Sequence, residues 1–135
     1  MAIATRKLRG ITIDLGARLK ARGLKDSDQL LEATRTPAGR EELAKAVGAT
    51  TAEILELANR ADLARIKGIG QVFSDLLEQA GVDTVKELAR RVPENLHARL
   101  VEINAEKKLA GRLPTLDMVR DWIAQAKELP KLLEY

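Results

Sequence analysis

Sliding this chain along itself by 58 residues lays Arg9-Gly10-Ile11 over Lys67-Gly68-Ile69, Leu19 over Leu77, Gly23-Leu24 over Gly81-Val82, and Leu30 over Leu88. Turn glycines and apolar positions coincide together, so the chain must fold as two similar parts rather than one continuous layer. Further on, Leu57-Ala58-Asn59 and Asp62-Leu63 match Ile123-Ala124-Gln125 and Glu128-Leu129 at a slightly larger offset. We read two units of about 60 residues each, 1–63 and 64–135, joined by a helix that runs from the first unit into the turn at 66–70. Units this small bury a limited fraction of their surface, so a shared interface is expected.

Both units are expected to be helical, because punctuation falls at helical intervals and no run of alternating β-branched residues exists. Asp14 to Arg22 reads as a helix stopped by Gly23, and Ser27 to Thr34 as another, with Asp26 and Gln29 as its capping pair. Thr36-Pro37 opens a third that ends at Gly48; proline suits a first turn, where its missing N–H has no partner to lose. Thr50 and Glu53 form a capping box, followed at helical spacing by Ile54, Leu57, Ala58, Ala61 and Arg65. In the second unit Val72, Phe73, Leu76, Leu77 and Ala80 make an apolar face that stops at Gly81. Thr84 and Glu87 are a second capping box opening Val85 to Val92, and Pro93 starts a helix with Leu96, Leu100, Ile103 and Leu109 as core positions. Thr115 caps the last helix, whose inner side carries Met118, Val119, Trp122, Ile123 and Ala126 and which Pro130 halts.

Composition narrows the chemistry. Aromatics are limited to Phe73, Trp122 and Tyr135, so the core must come from aliphatic side chains. Cysteine is absent, which removes disulfides and thiolate metal sites and makes the cytoplasm the expected location. No apolar run is long enough to span a bilayer, and the N-terminus lacks the apolar core of a secretory signal. The net charge of +3 is modest, but its distribution is uneven: residues 1–25 hold seven Lys or Arg against one Asp. His97 stands alone and cannot anchor an ordinary zinc site. The paired acids Glu41-Glu42 and Asp117/Asp121 fall on helix surfaces, and nothing around Lys67 suggests the depressed amine that Schiff-base chemistry needs. The expectation is no catalysis, no cofactor and no small-molecule substrate.

The stretch with the most chemical content is Ile66-Lys67-Gly68-Ile69-Gly70, two glycines flanking an aliphatic residue between two helices. Glycine allows φ > 0 and close approach, and the following helix offers unpaired N–H groups at the positive end of its dipole. Such a turn suits an anionic backbone, although it is also an efficient way to pack two helices with Ile69 as the plug. The pattern Leu63-x-x-Ile66-Lys67-Gly68-Ile69-Gly70, with Leu76-Leu77, Ala80-Gly81-Val82, Thr84-Val85 and Leu88-Ala89, resembles the helix-hairpin-helix units of the SAM-like fold. Over roughly residues 8–129 the chain is similar to a family of two-repeat helix-hairpin-helix proteins described only as a domain of unknown function.

The resemblance implies an all-α protein of two tandem SAM-like repeats acting as a sequence-independent DNA-binding module. In the second hairpin it points to Lys67, Gly68, Ile69, Gly70 and Gln71 as the residues that hold phosphates. In the first it points to Arg9, Gly10, Ile11 and Thr12, with Arg6 and Lys7 from the basic N-terminus. Thr12 replaces the second glycine, and a Cβ there is expected to strain a φ > 0 turn and leave the first hairpin degenerate. The second hairpin also departs from DNA-binding members, since Gln71-Val72-Phe73-Ser74 lacks a cation and Asp75 lies near. The competing expectation is a protein-interaction or self-associating adaptor.

Overall fold

The computed structural model describes Ala4, Leu8 and residues 11–135, which form eight α-helices. They are α1 (Ile13–Ala21), α2 (Ser27–Ala33), α3 (Pro37–Val47), α4 (Thr51–Leu63), α5 (Gln71–Gln79), α6 (Val85–Ala89), α7 (Pro93–Lys107) and α8 (Leu116–Glu128). The only extended pairing among the described residues is an isolated antiparallel bridge between Ala4 and Asp26. Among the described residues no helix is long and apolar enough to cross a membrane.

Local chemistry explains where most helices begin. Thr12, Asp26, Thr36, Thr50, Thr84 and Thr115 each sit in extended backbone, and each accepts a hydrogen bond from the amide three residues on. The box at Thr50 is complete: Thr50 Oγ1 accepts from Glu53 N at 3.1 Å while Glu53 Oε1 accepts from Thr50 N at 3.0 Å. The Thr50 amide and hydroxyl hold the Glu53 carboxyl below the ordinary glutamate range. A depressed carboxyl stabilises the fold above its unfolded pKa, and that contribution is lost as pH falls through the folded value. Thr50→Ala removes the Oγ1 cap and should cost about 1 kcal/mol at neutral pH; because it also removes the hydroxyl that lowers Glu53, the difference from wild type should shrink in acid, as read by denaturant melts at the two pH values.

The other two expected caps form differently. Asp26 caps Gln29 as the spacing predicts, but Gln29 Oε1 accepts from Lys25 N at 2.8 Å, one residue before the cap. Thr84 accepts from Glu87 N, yet the Glu87 carboxylate faces Arg91 at 3.5 Å instead of closing the box. The helix expected to reach Val92 stops at Ala89, because Val92 precedes a proline and lies at φ −88, ψ 122, outside the helical region.

Two compact units result: the residues up to Arg65 together with Leu132–Tyr135, and Ile66–Lys131. In the first, α4 packs on α2 and α3 around Leu19, Leu30, Leu31, Leu43, Val47, Ile54 and Leu57. In the second, α8 packs on α6 and α7, and the buried residues include Leu76, Leu77, Val82, Leu88, Leu100, Val119, Trp122 and Ile123. The turn after α1 is matched by the turn after α5: Gly23 (φ 83) and Gly81 (φ 86) are both left-handed. Leu24 N and Val82 N donate to Leu19 O and Leu77 O at 3.0 and 2.9 Å.

The last helix of each unit corrects the expected register. Its cap and buried stripe are Thr50, Ile54, Leu57, Ala58 and Ala61 in α4, and Thr115, Val119, Trp122, Ile123 and Ala126 in α8. These positions differ by 65, so Leu57 stands at the same distance from its cap as Trp122, one residue before the Ile123 expected opposite it. The net gain of seven over the 58 offset comes from α7, four residues longer than α3, and from the α7–α8 connection, five longer than that between α3 and α4, less the two by which α6 is shorter than α2. In the α7–α8 connection Lys108 adopts φ 51, ψ 45 and ends the helix. Leu109, expected on that helix as a core residue, is half-buried beyond it, while Ala110 is buried. The Asn104 side chain clamps the Ala110 backbone, donating to its O at 3.0 Å and accepting from its N at 2.8 Å.

Two chain segments depart from the sequence reading. The helix expected to continue through Arg65 ends at Leu63, and Arg65 turns back to pair with Asp62 at 2.7 Å, both side chains largely buried. At the other end, Leu132–Tyr135 belong to the first unit rather than the second. Leu133 is buried in the first core, Glu134 N donates to Arg35 O at 2.7 Å, and Tyr135 Oη donates to Asn59 Oδ1 at 2.9 Å. The buried Arg40 guanidinium donates to Thr34 O at 2.8 Å and Glu134 O at 2.7 Å, with its Cζ 5.6 Å from the Tyr135 ring centroid.

Candidate nucleic-acid interface

The turn at 66–70 is pinned from inside by its two isoleucines: Ile66 and Ile69 are 1% and 4% exposed. Ile69 is thus the plug that the packing reading expects. Burying both leaves Lys67, Gly68 and Gly70 on the surface. Gly68 adopts φ 97, and a Cβ built on it would lie 3.0 Å from Trp122 Nε1. Glycine is required here by conformation and by the indole of α8. Trp122 itself is 1% exposed, packed with its ring centroid 5.4 Å from that of Phe73, which fits the core role expected of it.

Gly70 has a different role from the one its sequence position suggests. It is the N-cap of α5 at φ −97, ψ −164, extended backbone, and an added Cβ would meet nothing within 4 Å. Thr12 occupies the corresponding place before α1 at φ −86, ψ 160, with Oγ1 accepting from Leu15 N at 3.1 Å. The expected strain at Thr12 is therefore absent. An N-cap does not need φ > 0, and threonine is one of the residues preferred there. Ile11 is half-buried beside it. Arg6, Lys7, Arg9 and Gly10 lie outside the described residues.

What glycine changes at position 70 is the supply of free donors. Among the described helices α5 alone has neither a side-chain cap nor a proline at its start. The amides of Gly70, Gln71 and Val72 carry no hydrogen bond within the described residues, nor does that of Gly68. Open donors at the positive end of a helix dipole favour an anion. The Lys67 ammonium, exposed and without an ion pair among the described residues, adds a full charge beside them.

The Lys67 backbone is already engaged. Its N–H donates to Gln125 Oε1 at 2.9 Å and its carbonyl accepts from Gln125 Nε2 at 3.1 Å. Gln125 Nε2 also donates to Asp121 Oδ2 at 2.8 Å. Sequence reasoning missed this contact: Gln125 appeared only as a repeat counterpart of Asn59 and Asp121 only as a surface acid, and nothing local connects positions 58 residues apart. The remaining residues singled out for chemistry have structural surroundings. His97 Nε2 lies 3.1 Å from Pro114 O, bracing the α7–α8 connection, and Asp117 pairs with Arg120 at 3.4 Å.

No curated protein and no solved structure matches the chain. The model of one family, DUF4332, a domain of unknown function, matches residues 9–129. A match of that extent takes in all but the two ends of the sequence, and the chain belongs to this family.

Proposed function

We propose that this protein is a non-catalytic, cytoplasmic binding module of two tandem SAM-like helix-hairpin-helix repeats, which holds the sugar-phosphate backbone of DNA without reading its bases. The observation that carries this reading is the start of α5. Gly70 provides no side-chain cap, so the helix keeps its first amides for a ligand while six other helices spend an oxygen side chain there. Lys67 and the glycine-lined approach of the turn add to it, with Ile69 and Gln71 fixing and flanking the donors. Amides and one ammonium recognise phosphate geometry and charge, neither of which depends on base sequence. The same order of four helices in each unit, offset by 58 residues at α1 and α5 and at α2 and α6, 56 at α3 and α7 and 65 at α4 and α8, supports the repeat assignment.

Fluorescence anisotropy of labelled duplex and single-stranded DNA at low and near-physiological salt tests the proposal. Wild type should bind in a salt-sensitive manner, and Lys67→Glu should weaken binding about tenfold without changing the melting temperature. Equal affinities would remove the hairpin from the account. A role as a protein-interaction adaptor is favoured by one observation, Ile13, which is 95% exposed at the first turn of α1. Absence of DNA binding at low salt, with self-association lost in Ile13→Ser, would select that reading.

A further inference from the structure

We propose that Gln125 is the positioning residue of the second hairpin: its amide fixes the two peptide planes on either side of Lys67, and so sets where the Lys67 ammonium stands relative to the open amides of α5. This rests on the DNA-backbone reading given above.

A glutamine amide that both accepts from an N–H and donates to the C=O of one residue replaces what a neighbouring strand would supply, and it removes rotation at that residue from both sides. Gln125 does this to Lys67 at 2.9 and 3.1 Å. The amide could face either way only if its partners accepted both orientations. The Lys67 N–H can only donate and its carbonyl only accept, which fixes one orientation, and the Asp121 carboxylate reinforces it, Oδ2 taking Nε2 at 2.8 Å. Oε1 is thereby turned to the Lys67 N–H. Asp121 and Gln125 lie one helical turn apart on α8, with Trp122 between them in sequence and against Gly68. The hairpin is therefore held at Lys67 by hydrogen bonds and at Gly68 by an indole, leaving Gly70 onward free to meet a ligand. The Lys67 N–H is spoken for, which assigns phosphate contact to the amides of Gly68, Gly70, Gln71 and Val72 and confines Lys67 to its side chain.

The test is a double-mutant cycle read by DNA anisotropy over a salt series, together with amide hydrogen exchange at Lys67. Lys67→Gln should lower affinity about fivefold and flatten the salt slope by about 0.9, the loss of one phosphate contact. Gln125→Ala should do nearly the same although it removes no charge, and Gln125→Met, which keeps the length, should behave like it. The double variant should bind within about twofold of the weaker single variant, because the two changes remove one contact. Exchange at the Lys67 amide should speed up about tenfold in Gln125→Ala while α5 to α7 stay protected. Additive losses, wild-type affinity in Gln125→Ala, or unchanged exchange at Lys67 would overturn the positioning role and leave the DNA reading intact. No DNA binding by wild type at low salt would overturn both.

Discussion

Replacing Gly68 by valine should lower the melting temperature of the second unit by about 15 °C, the equivalent of about 3 kcal/mol in a unit of this size. Two penalties act together. Position 68 lies at φ 97, where an L-residue is strained and a β-branched one more so. The added Cβ would also stand 3.0 Å from Trp122 Nε1, on a ring buried to 1% exposure, so the indole would have to shift within the core. Gly70→Ser is the internal comparison, two residues away in extended backbone with open space around the new Cβ. It should raise stability by a few tenths of a kcal/mol through a new cap and reduced freedom of the unfolded chain. Circular dichroism melts of the two variants give the answer, and a Gly68→Val chain that melts with wild type would mean the turn does not have this geometry. The serine hydroxyl should also occupy α5 amides, so any DNA affinity should fall as stability rises.

Trp122→Ala should be the most damaging truncation of the second unit, costing about 4 kcal/mol. The indole is the largest fully buried side chain, packs at 5.4 Å from Phe73 and forms the floor beneath Gly68, so its loss opens a cavity under the turn at 66–70. Trp122→Leu copies the residue at the corresponding place in α4, Leu57, and should cost about half as much because much of the volume is kept. Trp122 is the only tryptophan, so unfolding of these variants must be followed by far-ultraviolet dichroism rather than indole fluorescence. A loss below about 1 kcal/mol for the alanine variant would contradict the close packing of this site.

The places where sequence reading succeeded share a physical character. Helix starts at Thr36, Thr50, Thr84 and Thr115 were legible because a cap acts on the amide three residues ahead, within the reach of a local pattern. Turn glycines at 23, 48, 68 and 81 were legible for the same reason, each adopting positive φ. Gly70 and Thr12 misled because a motif spelled with two glycines suggests two unusual conformations, whereas only Gly68 has one and the next position is an ordinary cap. The α4–α8 match was set one residue off because Leu-Ala-Asn and Ile-Ala-Gln look alike, while Leu57 and Trp122, at the same distance from their threonine caps and both buried, differ in size. Contacts between distant positions left no trace at all. Lys67 with Gln125 is one, and Arg40 with Glu134, separated by 94 residues, is another.

That last contact bears on the order in which the protein is made. Synthesis proceeds from the N-terminus, and α1 to α4 emerge long before Leu132–Tyr135. Until those residues arrive, Leu133 is missing from the first core, Arg35 O lacks the Glu134 amide and one end of the Arg40 guanidinium lacks its carbonyl. The half that leaves the ribosome first is thus the half completed last, and a nascent chain arrested anywhere before residue 132 holds an unfinished first unit however much of the second has already formed.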